Sequence, residues 1–318
     1  MSAVEPKRTL SPLENVAPNT TQIDLEYLGQ LQMIASCLLE GEGGTALVDP
    51  GPASALDMLR AKLGQRGLSV ADVDHLVLTH IHLDHAGATG TLVRENPRIR
   101  VWVHERGAPH LIDPARLIES ATRLYGAKMN WLWGEILPVP AGNVQALSGS
   151  ERIRVGGRTL EVVYTPGHAW HHVSYFDAAN GIAFVGDTGG IRIANRGYVS
   201  PVTPPPDIDL ESWEKSLEQI RARHPTRLFL THFGSADGVD EHLGELAERL
   251  EAWSDNVRKS LENSGDDAER ANRFVQEVTA SLARHLEEPE ADRYARYVGL
   301  KQCWYGLARY WRKHGDAP

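Results

Sequence analysis

The segment His80-Ile81-His82-Leu83-Asp84-His85 constrains this chain more than any other stretch. It sets three imidazoles and a carboxylate within six residues, directly after the apolar run Leu76-Val77-Leu78. That is too many strong ligands for a comfortable fold element. Imidazole nitrogen and carboxylate oxygen both suit a borderline divalent ion such as zinc. His80 and His82 are two residues apart on an extended segment, so they point the same way. Asp84 and His85 follow the bend and can face a second ion nearby. The hexapeptide can therefore serve two metals at once.

The rest of the chain decides what surrounds that segment. Its 318 residues suffice for one large domain or two modest ones, and 42% hydrophobic content allows a sizeable core. A net charge of −9 argues against a phosphate-backbone partner, so no nucleic acid is expected. No stretch approaches the roughly 20 apolar residues of a membrane span, so no membrane partner is expected. The first twenty residues carry no apolar signal core. Cys37 and Cys303 lie far apart in apolar contexts and read as buried free thiols. A cytoplasmic location follows as the expectation.

Strand signals fall at Ile23–Leu28, Gln32–Leu39, Ala46–Val48, the run before His80, and Arg100–Val103. Helical spacing fills Ala53–Arg66 and about Ala86–Glu95. Residues 105–140 break the alternation with Leu111, Leu117, Leu124, Tyr125, Trp131 and Trp133 in helical patterns, and read as an inserted cap. Strands resume at Arg152–Val155, Thr159–Tyr164, Val173–Phe176 and Ile182–Val185. A helix over Asp209–Arg223 precedes the strand Arg227–Leu230. From Val239 the pattern is helical only, in three stripes, the last running from Tyr294 to Tyr310. The expected layout is a lead-in over 1–20, a mixed α/β domain over 21–236, and a helical region over 237–318.

Three further candidate ligands each follow an expected strand. His168 comes after Thr165-Pro166-Gly167, Asp187 after Gly186, and His232 after Thr231. A ligand at a strand end is held by the sheet while facing an open cleft. Singly, each is an ordinary turn or surface residue. Beside the hexapeptide they complete a set of five His and two Asp, about what two catalytic ions require.

Taken together and in this order, His80-x-His82-x-Asp84-His85, Thr165-Pro166-Gly167-His168, Gly186-Asp187-Thr188 and Thr231-His232 resemble the metallo-β-lactamase-fold hydrolase superfamily. The resemblance covers about residues 20–236. It implies an α/β fold, the αββα sandwich of the metallo-β-lactamase type, here with a helical cap and a C-terminal helical appendix. It implies that His80, His82 and His168 hold a first metal, that Asp84, His85 and His232 hold a second, and that Asp187 bridges them. Two zinc ions are the usual residents, with iron or manganese as alternatives. The implied chemistry is hydrolysis by a hydroxide shared between two cations, attacking a carbonyl carbon or a phosphorus. Asp84 and Asp187 count as catalytic carboxylates, and His172 is a candidate to touch substrate or orient a ligand. Asp49, after a strand, reads equally as a carboxylate near the metal loop and as a plain turn; His171 reads as a surface or packing residue. No Gly-x-Ser-x-Gly elbow or Gly-x4-Gly-Lys loop offers a competing chemistry.

A small-molecule acyl substrate is the first expectation. Glyoxalase II-like thioester hydrolases resemble the chain in ligand set and C-terminal helices, although their glutathione-binding basic residues are not recognisable here. Lactonases of the quorum-quenching type have similar spacing but carry a tyrosine where Gly190 stands. The alternatives are an iron-dependent sulfur dioxygenase-like enzyme, a phosphodiesterase, and a metal-containing effector with vestigial hydrolysis. Tyr125, Trp131, Trp133, Trp170 and Tyr198 are candidates to line an apolar entrance. Trp304, Tyr305, Tyr310 and Trp311 point to a homodimer through the C-terminal helices.

Overall fold

Alternating apolar side chains along the strands build two stacked sheets. The structure is a computed structural model that describes residues 10–193 and 197–315. The first sheet holds β1 (Glu14–Ala17), β2 (Thr20–Asp24), β3 (Ala35–Gly41), β4 (Gly44–Val48), β5 (His75–Val77), β6 (Arg100–His104) and β7 (Val144–Leu147), side by side in chain order. The second holds β8 (Arg152–Val155), β9 (Arg158–Tyr164), β10 (Val173–Asp177), β11 (Ile182–Phe184), β12 (Arg227–Leu230) and β13 (Gly234–Ala236), also in order.

Two cores result. Ala35, Cys37 and Leu39 of β3 meet Val173 and Tyr175 of β10 between the sheets. Leu38 points to the other face, into the cluster that holds Leu59 and Leu63 of α1 (Leu56–Gln65). Such period-two burial on both faces demands a helix layer outside each sheet. The short α2 (Leu83–Ala86) and α3 (Thr89–Glu95) follow the ligand hexapeptide. Between β6 and β7 come α4 (Ala108–Ile112), α5 (Ala115–Tyr125) and α6 (Met129–Trp133), the cap. Trp213, Leu217 and Ile220 of α7 (Leu210–Arg221) pack with Val163, Phe176 and Leu228 of the second sheet. The architecture is the expected αββα sandwich.

Some expectations needed correction. Glu14–Ala17, read as lead-in, is an edge strand paired antiparallel with β2; the first nine residues lie outside those described. The strand expected over Ile23–Leu28 ends at Asp24 and gives way to a turn at Tyr27–Gly29. Edge strands β7 and β13 lack the apolar run that marks an interior strand, and form because a neighbour supplies the pairing.

The C-terminal region is α8 (Val239–Glu262), α9 (Asp267–Leu282), α10 (Glu288–Tyr297) and α11 (Leu300–His314). Its third expected stripe is two helices, parted at Gly299, whose φ of +63° suits glycine and stops α10. Trp304 is fully buried here, and its indole N–H donates to Ser260 Oγ at 3.0 Å. A ring buried so deeply is worth roughly 3–5 kcal/mol against alanine. Trp311 donates to Ser254 O at 3.1 Å, so both indoles satisfy their N–H groups within the chain. Tyr198 is buried against Tyr294 at 5.5 Å between ring centroids, and packs the appendix instead of lining an entrance. Cys37 and Cys303 are free and buried in separate clusters. Among the described residues no helix is long and apolar enough to cross a membrane.

Candidate metal centre

Strand direction gathers the candidate ligands. β4 and β5 are parallel, so Asp49 and the His80 segment leave the first sheet at the same end. In the second sheet β10 is antiparallel to both β9 and β11, and β11 is parallel to β12. β9, β11 and β12 therefore run the same way and deliver His168, Asp187 and His232 to one edge. Gly186 makes the closeness possible: at φ +43°, a Cβ there would lie 2.6 Å from Thr79 Oγ1 and 2.7 Å from His172 Nε2.

The side chains form two groups. His80, His82, His168 and Asp187 bring ligand atoms within 4.8 Å of one another, and so do Asp84, His85 and His232. His82 Nδ1 lies 2.9 Å from both His80 Nε2 and His168 Nε2. In the second group His232 Nε2 lies 3.2 Å from His85 Nε2 and 3.4 Å from Asp84 Oδ2. Asp187 spans the two. Its Oδ2 is 3.5 Å from His168 Nε2 and 4.0 Å from His80 Nε2, while its Oδ1 is 3.2 Å from His85 Nε2 and 3.6 Å from His232 Nε2.

Hydrogen bonds behind the rings aim them inward. His168 Nδ1 donates to Val202 O at 2.8 Å, and His232 Nδ1 to Met33 O at 3.0 Å. His85 Nδ1 is held by Asp49 Oδ2 at 2.8 Å. Thr79 Oγ1 spends its proton on Asp49 Oδ2 at 2.7 Å, so it accepts from His80 Nδ1 at 3.1 Å. Four rings thus commit one nitrogen outward and turn Nε2 into the site, the arrangement that fixes a metal-binding tautomer. Buried Asp187 Oδ1 accepts no hydrogen bond despite its closeness to His85. Converging nitrogen lone pairs and an unpaired buried carboxylate oxygen are what a divalent cation satisfies, so the donor set fits.

Charge differs between the groups. Burial and neighbouring imidazoles hold His80 well below the ordinary histidine range and bring His82 down to about 3. Burial also lowers His168, outweighing Asp187. At His85 burial is outweighed by Asp187, Asp49 and Asp84, which hold the ring well above its usual value. His232 is raised in the same way, Asp187 and Asp84 prevailing over burial. Asp84, against burial, is held down to about 2 by His85 and His232.

Residues 31–232 match the family model of the metallo-beta-lactamase superfamily. The chain belongs to the metallo-β-lactamase superfamily. Within it, the chain is 29% identical over 217 residues to the metallo-beta-lactamase fold-containing protein ST1585 of Sulfurisphaera tokodaii, spanning 66% of this chain and 77% of that one. It is 25% identical over 268 residues to a hydroxyacylglutathione hydrolase of Synechococcus, spanning 80% and 89%. Among solved structures, the metallo-beta-lactamase family protein TTHA1429 from Thermus thermophilus superposes with a TM-score of 0.71 over 95% of each chain, at 22% identity. That likeness extends the shared fold through the C-terminal helices.

For this superfamily member the remaining sequence candidates sort by position. Asp49 is no plain turn: it is buried, accepts from Thr79 N at 2.8 Å and from Thr231 Oγ1 at 2.7 Å, and holds His85. His172 is fully buried, with Thr188 N donating to its Nε2 at 3.4 Å and Thr165 Oγ1 lying 3.0 Å from its Nδ1. Through these contacts it braces the loops that carry His168 and Asp187. His171, read as a surface or packing residue, is buried with its ring stacked 6.0 Å from His80 and its Nδ1 without a partner. Of the aromatics, Trp133 stacks on Tyr27 at 6.1 Å and meets Tyr125 at 5.1 Å, Trp170 sits under Arg106, and Trp131 stays exposed. Thr79 and Tyr297 were not among the sequence candidates, and Thr231 stood there only as part of the Thr231-His232 motif; Thr79 and Thr231 each adjoin a ligand, which is the one local signal they carry.

Proposed function

We propose that the chain is a hydrolase that uses two divalent ions to cleave a thioester or a related acyl bond. One observation carries this reading: Asp187 turns one oxygen to each ligand group, so a single carboxylate serves both. His80, His82 and His168 would hold one ion, Asp84, His85 and His232 the other, and Asp187 both. The all-nitrogen-and-oxygen set suits zinc, and iron or manganese equally. When bound, such ions supply Lewis acidity and a water whose pKa is lowered towards neutrality.

The chain's own residues do the rest. Asp49 keeps the His85 ring in one tautomer, and Val202 and Met33 carbonyls do so for His168 and His232. The aromatic wall of Tyr27, Tyr125 and Trp133 is suited to shield an apolar acyl group from water. An acyl bond is favoured by the hydroxyacylglutathione hydrolase whose likeness spans most of the chain. A nucleic-acid substrate is disfavoured by the net charge of −9. At Gly190, where such lactonases carry a tyrosine, φ is +73° and a Cβ would lie 2.8 Å from Leu246 and 3.0 Å from the Ser200 carbonyl, so a tyrosine there would be strained.

The test is a pH-stat panel on metal-replete protein, with acyl thioesters, lactones, carboxyl esters, β-lactams and phosphodiesters, and His82→Ala as control. Proton release with thioesters or other acyl substrates, lost in the variant, is the expected result. Silence across the panel from protein holding two ions per chain rejects the acyl-hydrolase reading.

A further inference from the structure

The C-terminal helices approach the metal centre at one side chain. Tyr297, the last residue of α10, sets its ring 5.9 Å from that of His232 and 6.2 Å from that of Tyr27, edge-on to both. Its phenol feels the carboxylates of Asp84 and Asp187 and the hydroxyl of Tyr125. It therefore stands on the Asp84/His232 side, between the cap and the ligands.

Two details bear on what Tyr297 can do. Tyr27 donates to Leu132 O at 2.9 Å, Tyr175 to Leu78 O at 2.7 Å, Tyr164 to Trp170 O at 2.9 Å and Tyr294 to Tyr198 O at 2.6 Å, so those phenols are spent within the fold. The Tyr297 side chain is half-buried, and its hydroxyl bonds to no protein group among the described residues, which leaves its O–H available to a ligand in exchange for water. The helix is also fixed in place. Arg293, one turn earlier, bonds to Leu31 O and, at 3.1 Å, to Met33 Sδ. Met33 is the residue whose carbonyl orients His232. One short loop thus positions a ligand ring and the helix that carries the phenol.

We infer that Tyr297 is a substrate-binding residue, delivered by the C-terminal helices, whose phenolic O–H donates a hydrogen bond to the acyl oxygen of the substrate. This rests on the acyl-hydrolase reading. A phenol keeps its proton at neutral pH and is a donor there. Tyr297 makes and breaks no covalent bond; water gives up a proton as its oxygen bonds the acyl carbon, the acyl C–S or C–O bond breaks, and the departing thiolate or alkoxide takes up a proton, while the phenol stabilises charge growing on the acyl oxygen. The site is then incomplete without the C-terminal region.

The test compares the full chain with Tyr297→Phe, which keeps the ring and its packing. Both proteins are checked for two ions per chain and for equal melting temperature. On the acyl substrate cleaved by the parent, the variant is expected to lose up to about 10²-fold in kcat/KM, chiefly in kcat, as for one donor to a developing oxyanion. A second arm needs no turnover: acetohydroxamate, which presents an acyl oxygen, is titrated into the cobalt(II)-loaded proteins and followed by visible absorbance. Binding about tenfold weaker in the variant is expected. If the parent cleaves nothing but hydroxamate binding still weakens, the hydrolase reading falls and Tyr297 remains a ligand donor. Unchanged kinetics overturn the inference, and so does hydroxamate affinity that is equal in both proteins or absent from both.

Discussion

The two ligand groups draw on the same residue types and stand in opposite fields. Around His80, His82 and His168 the outward partners are a hydroxyl and a carbonyl, and burial leaves the imidazoles neutral. Around His85 the carboxylates Asp187, Asp49 and Asp84 outweigh burial, and around His232 Asp187 and Asp84 do, so both rings are shifted towards the protonated form. The first group is a set of inward lone pairs, whereas in the second the rings stand among carboxylates that favour their charge. On the two-ion proposal, a cation would enter the first by filling a space and the second by displacing protons. Ligand identity alone does not reveal this; the placement of one further carboxylate, Asp49, does.

The sharpest way to break the comparison is to remove the residue common to both groups. Asp187→Asn keeps the shape and loses the shared negative charge. We expect hydrolysis to fall by about 10²–10³-fold or to background, with fewer than two ions per chain by elemental analysis. A variant that keeps both ions and full activity would show the groups to be independent. Next in size is Asp49→Asn, which touches only the second group. An outward partner of this kind is worth about 10–100-fold in metal affinity. We expect that loss for the second equivalent of zinc in competition with a chelator, and none for the first. Equal weakening of both would mean that Asp49 supports the sheet edge in general.

The same contrast explains what was legible in the sequence. His80, His82, Asp84 and His85 are dense enough to be recognised locally, and His168, Asp187 and His232 each follow an apolar run that ends in a tight turn. The sandwich was legible because alternation such as Ala35-Cys37-Leu39 against Leu38 records two buried faces. Asp49 was ambiguous because its decisive partners are distant: Thr79 is 30 residues away and Thr231 is 182. Tyr297 looked like one more aromatic in a helical stripe, since nothing local tells a stripe's end from its core. Gly299, by contrast, was a readable stop, and the division of the last stripe was available from it. Local chemistry announces ligands; the residues that aim them are chosen by tertiary contact.

The finest test of the two fields is proton release. His85 and His232 are raised above the ordinary histidine value, so in the metal-free chain they favour the protonated form at pH 6. An ion can bind only the neutral rings, so its affinity for the second group falls as pH drops, by about tenfold per pH unit for each proton displaced. His80 and His82 lie below the ordinary range, His82 at about 3, so near neutral pH they have no proton to give. Because the rings and carboxylates of the second group interact strongly, they titrate as a unit. At pH 6, a first equivalent of zinc should therefore enter the first group with little acid released, and a second should release up to about two protons. An indicator dye in weak buffer reads both steps. Asp49→Asn sharpens the test, since it withdraws one of the three carboxylates that raise His85 and should lower the second release while leaving the first unchanged. Equal release at both steps, unaffected by Asp49→Asn, would mean that the opposing fields do not govern metal uptake.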